Sequence, residues 1–99
     1  MKLPKIIKIG PILYRIKTRK GLRSSDGAEL FGQIFTSDCK ILINKKYVNS
    51  QWLPFAIWHE VLHGIFAAAG IHDEDEKIVE ILSYGIVDAL RKNKALREE

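Results

Sequence analysis

Residues 59 to 63 read His59-Glu60-Val61-Leu62-His63, an HExxH pattern inside an apolar run with helical character. On an α-helix, positions i and i+4 lie one above the other, roughly 6 Å apart at their Cβ atoms. Two imidazoles so placed can grip one Zn²⁺ from a single helix face. Glu60 sits beside them, within reach of a metal-bound water. That chemistry is metal-assisted hydrolysis: the ion acidifies water and polarises a carbonyl, and Glu60 takes the proton and later passes it to the leaving amine.

Catalytic zinc normally has three protein ligands and one open position. The position six residues after the second histidine, where metzincins place a third histidine, is Ala69. His72 falls at a helix junction and reads as a surface or capping residue. Glu76 and Glu80 remain. With a short connection around residues 70–73, the chain returns antiparallel to the first helix. Counted at about 1.5 Å per residue, Glu80 comes back to the level of His63, and Glu76 returns only part of the way. Level matching and the apolar neighbours Ile78, Val79, Ile81 and Leu82 therefore favour Glu80. Both glutamates share one stripe of the second helix, so rotation alone does not separate them. The expected ligands are His59, His63 and Glu80, with Tyr84 or His72 as candidates to steady a developing oxyanion.

These residues need helices to carry them. Ser50 is a suitable N-cap for a helix ending near Ala69, Pro54 is tolerated in its first turns, and Gly70 is a natural stop. The acids from Asp73 to Glu76 open a second helix that runs to about Asn93, placed where the helix dipole favours them. Trp52, Phe55, Trp58 and Phe66 on the first helix read as core. Upstream, residues 6–9 and 12–17 flank Gly10-Pro11 as a strand pair or one kinked strand. Residues 18–27 form a polar loop, and residues 30–36 and 40–44 are strands around a turn at Ser37-Asp38-Cys39. The order β-β-β-β-α-α predicts an α+β domain: a small antiparallel sheet of three or four strands over residues 1–49, then two antiparallel helices over 50–93.

The 99 residues suffice for one domain with a modest core, and 46% hydrophobic with 28% charged residues is ordinary for a globular chain. The single cysteine, Cys39, excludes an internal disulfide and a cysteine-rich metal site, which suits a reducing, intracellular setting. The amino terminus lacks a secretory h-region, and the longest weakly charged stretch contains Glu60, so no membrane span is expected. Residues 1–50 carry 11 Lys/Arg against 3 Asp/Glu, and residues 51–99 carry 5 against 9. A basic amino half can meet nucleic acid, or it can simply be a solvated sheet face.

The stretch from His59 to about Asn93, with His-Glu-Val-Leu-His-Gly-Ile-Phe followed by Val-Glu-Ile-Leu-Ser-Tyr-Gly-Ile-Val-Asp-Ala-Leu, resembles small phage- and prophage-encoded zincin-like proteins. Those carry HExxH on one helix and a glutamate on the next. The hairpin ending in residues 39–44 is also similar to the strand that leads into their active-site helix. The likeness is more distant to ImmA/IrrE-type and SprT-like minimal zincins. It implies a zinc metallopeptidase core acting on a protein or peptide in the (host) cytoplasm, with an edge strand able to hold an extended peptide. The larger gluzincins have an acid four residues after the ligand glutamate, where this chain has Tyr84. The competing expectation is a zinc-stabilised module that binds protein or nucleic acid without hydrolysis.

Overall fold

Gly10 has φ +57° and, with Pro11, closes a two-residue turn that folds β1 (Ile6–Ile9) antiparallel onto β2 (Ile12–Arg19). Glycine in the first central position is what such a hairpin turn requires. The computed structural model describes residues 2–98. After β2 a long loop leads to β3 (Gly32–Phe35), which turns at residues 36–39 into β4 (Lys40–Asn44). A short 3₁₀ turn (Lys45–Tyr47) precedes helix α1 (Leu53–Ala68), which is followed by helix α2 (Glu76–Lys92).

The fold class is α+β: four strands, then two helices. The sheet, however, is mixed rather than antiparallel. Its order is β1-β2-β4-β3, and β2 runs parallel to β4 with Ile16 opposite Ile41 and Thr18 opposite Ile43. The long loop makes this possible, because it lets β3 take the outer edge while β4 returns beside β2. Ile43, fully buried, sits in that central strand and reads as part of a run, Ile41-Leu42-Ile43-Asn44, with both faces covered.

One sheet face forms the core. Ile9, Tyr14, Ile41 and Ile43 pack against Leu53, Ala56 and Ile57 of α1. Each aliphatic side chain so buried contributes roughly 1.5–3 kcal/mol relative to exposure. Gly64 lets the helix come close: a Cβ there would lie 2.7 Å from Ile9 Cδ1 and 3.2 Å from Ile34 Cδ1. Helix α1 has no side-chain cap. Ser50 instead accepts from the Trp52 N–H at 3.1 Å, and Pro54 occupies the first turn, where a missing N–H matters least. At the other end Gly70, at φ +79°, donates to Ala67 O (3.0 Å) while Ile71 N–H reaches Phe66 O (2.9 Å). This paired closure ends the helix sharply. Helix α2 packs chiefly on α1 and buries Val79, Ser83 and Val87.

Candidate metal centre

The contacts between the helices run in opposite chain directions. His63 meets Glu74, His59 meets Glu76, and Phe55 meets Tyr84, so α1 and α2 are antiparallel. The side chains of His59 and His63, one turn apart on α1, are about one fifth exposed and face this junction. Their Nε2 atoms lie 3.3 Å apart. Glu76 Oε1 contacts His59 Nε2 and is 3.3 Å from His63 Nε2, with Oε2 at 3.1 Å. Three ligand atoms thus gather within 4.8 Å of one another.

The donor set fits a small dication. Ligand atoms about 2.05 Å from a tetrahedral ion sit roughly 3.3 Å apart, close to the His59–His63 and His63–Glu76 spacings. Two imidazole nitrogens and one carboxylate oxygen are also the types that zinc and its neighbours accept.

Glu76, rather than the expected Glu80, joins the histidines. Level matching to Glu80 holds only for a helix that rises from Asp73. The helix actually starts at Glu76, because Asp75 is the N-cap and accepts from Lys77 N–H at 2.8 Å. Residues 71–75 are therefore not helical, and an extended segment covers about twice the distance per residue. The chain has already returned to the level of His63 by Glu74. Glu80 lies one turn further along α2, exposed, on the wall of the same cleft but outside the cluster. Glu76 sits in the first turn of α2, where the helix dipole favours its charge.

Glu74 is a residue that the spacing of the sequence did not single out. Its Oε2 lies 2.8 Å from His63 Nδ1. A carboxylate only accepts, so Nδ1 carries the proton and Nε2 is turned to the cluster. The second oxygen, Oε1, is buried with no hydrogen-bond partner among the described residues. The His63 bond holds the Glu74 carboxyl below the usual range. Burial works against a charged His63 ring, yet the Glu74 bond and the charges of Glu76 and Glu60 raise its pKa overall.

Glu60 reaches from α1 toward β3, lines the same cleft as the two histidines, and is only 5% exposed. Burial pushes its pKa up to about 7; His63 lowers it, Glu76 raises it, and the backbone of Ile34 lowers it. Gly32 makes room for this side chain, since a Cβ there would lie 3.2 Å from Glu60 Cγ. The free edge of β3 therefore runs beside the one buried acid of the HExxH helix.

A cleft of about 650 Å³ opens over these groups. His72 and Tyr84 both line it, and Tyr84 packs on Phe55 at 4.8 Å between ring centroids. Trp52 and Phe55, expected in the core, line the cleft as well, and Trp52 is 42% exposed. The first turns of α1 present them past the core residues Leu53, Ala56 and Ile57. Cys39 lies far along the chain in the β3–β4 turn, with its thiol toward Thr36 O at 3.7 Å. Among the described residues, no helix is long and apolar enough to cross a membrane. Compared with protein-family models, curated proteins and solved structures, the chain matches none.

Proposed function

We propose that this protein is a small zinc-dependent peptidase that uses His59, His63 and Glu76 as ligands and Glu60 as its general base. The observation that carries the reading is the convergence of the two Nε2 atoms and the Glu76 carboxylate beside a buried glutamate on the same helix. A divalent ion at that point supplies Lewis-acid polarisation of a carbonyl and lowers the pKa of water.

The chain's own residues do the rest. Glu74 fixes the His63 ring in one tautomer. Glu60 holds its carboxyl in a site dry enough to bring its pKa near neutrality, where a group both accepts and returns a proton efficiently. The unpaired edge of β3 offers backbone N–H and C=O groups to an extended polypeptide lying along the cleft. The apolar wall of Trp52, Phe55 and Tyr84 excludes water on one side.

The test is metal content of protein purified without chelator, followed by cleavage of an unstructured protein substrate. About one zinc per chain, with cleavage lost in Glu60→Gln while the zinc stays, supports the reading. A chain that takes up no zinc on reconstitution refutes it.

A further inference from the structure

Among the described residues no helix packs on the sheet face turned away from α1; the loop after β2 covers its β4 end, where Leu42 and Asn44 are buried and Asn44 Nδ2 donates to Leu30 O. Alternation puts Lys8 of β1, Arg15, Lys17 and Arg19 of β2, and Lys40 of β4 on this outward face, because their neighbours Ile7, Ile9, Tyr14, Ile16 and Ile41 pack inward. The strands place no acid on it. None of these five cations has an ion-pair partner among the described residues, whereas Lys46, off this face, is paired to Glu29 at 3.2 Å. Five of the eleven Lys/Arg of the amino half are thus gathered on one surface, with the sheet between them and the His59, His63 and Glu76 cluster.

We propose that this outward face binds single-stranded nucleic acid. Arg15, Lys17 and Arg19 alternate along one strand, so their cationic groups recur about every 6.6 Å in a line that a phosphate backbone can follow. The register adds a second direction: Ile6, Arg15, Lys40 and Phe35 form a row across all four strands. Apolar surface therefore flanks the charges at both ends of the row. Ile6 and Leu13 are 56% and 58% exposed on this face, and Phe35 carries the Lys40 ammonium 5.1 Å from its ring centroid. Unpaired bases can rest on such surface, and a duplex keeps its bases stacked away from it. An anionic bilayer suits the face less well. Two exposed aliphatic side chains set among five cations cannot enter the acyl region without drawing those charges below the headgroups.

The experiment uses the full chain and a labelled oligothymidylate, read by fluorescence anisotropy. With three to five phosphates neutralised on a single strand, affinity falls roughly 20- to 100-fold between about 50 and 200 mM salt. Arg15→Glu with Lys17→Glu weakens binding about tenfold or more, while Lys92→Glu with Lys94→Glu, the same change in net charge on α2 and the segment after it, leaves it within about twofold. Circular dichroism checks the fold. If the glutamates unfold the sheet, Arg15→Gln with Lys17→Gln reads the same contrast. Chelator and Glu60→Gln leave binding unchanged. The proposal is overturned by equal losses in the two charge-reversal pairs, by tighter binding of a duplex of the same length, or by preference for phosphatidylserine vesicles or poly-glutamate over the oligonucleotide.

Discussion

Glu74 holds His63 by its far nitrogen, with Oε2 2.8 Å from Nδ1, while the near nitrogen faces Glu76. The linker between the helices thus does more than join them: it orients one ring of the HExxH pair. Glu74→Ala is expected to weaken zinc binding about 10- to 100-fold without changing its stoichiometry, the usual effect of removing such a supporting carboxylate. Competition with a chromophoric chelator gives the affinity. An unchanged dissociation constant would show that the Glu74 contact plays no part in metal binding.

The two glutamates of α2 separate cleanly by mutation. Glu76→Ala removes one of the three converging ligand atoms and should abolish stoichiometric zinc binding at micromolar metal. Glu80→Ala, one turn away, should retain one zinc per chain. The reverse pattern would mean that α2 shifts by a turn when metal enters.

The HExxH half of the site was legible because its geometry is local: i and i+4 on one helix fix the face whatever surrounds them. The third group was not, because it depends on where α2 begins. Asp73 and Asp75 are equally good caps in the sequence, and choosing Asp75 leaves Glu74 in the linker and moves the aligned glutamate from position 80 to 76. The strands were legible from their β-branched runs, and α1 and α2 from their length and stops. The parallel pairing of β2 with β4 was not, since a loop of a dozen residues permits either edge of the hairpin. Trp52 and Phe55 read as core from their apolar character alone, and only the packing of α1 on the sheet shows them turned to the cleft.

Glu60 gives the metal-free protein a defined pH dependence. Its folded-state pKa of about 7 lies above its ordinary 4.5, so the native state binds the proton more tightly than the unfolded chain. The favourable contribution of the protonated form is complete below about pH 4.5 and is lost as pH rises through about 7. The shift corresponds to about 3 kcal/mol. In chelator, Glu60→Gln should therefore be more stable than the wild type at pH 8, by up to about that amount, with the advantage shrinking toward pH 5. Urea unfolding at the two pH values measures it. A variant that is less stable than wild type at pH 8 would show that the buried carboxylate is compensated by partners that Gln cannot replace.

The approach of α1 to the sheet rests on Gly64, and a double-mutant cycle can test it. A methyl group at this position would meet Ile9 Cδ1 at 2.7 Å and Ile34 Cδ1 at 3.2 Å. Ile9 is 4% exposed and held in the main core, so its terminal methyl has little room to move. Alanine is the better helix former by up to about 1 kcal/mol, but overpacking a filled core costs about 1–3 kcal/mol. Gly64→Ala should therefore lower stability by roughly 1–2 kcal/mol, the balance of those two effects. Ile9→Val removes the clashing methyl and alone should cost about 0.5–1.5 kcal/mol. Combined, the two should be less damaging than their sum by about 1 kcal/mol or more, because the added methyl fills the space that the other vacates. Strict additivity would mean that α1 moves away from the sheet in Gly64→Ala, and zinc affinity should then fall with it. A coupled pair that keeps its zinc would instead show that the helix stays in place and that side-chain packing alone absorbs the change.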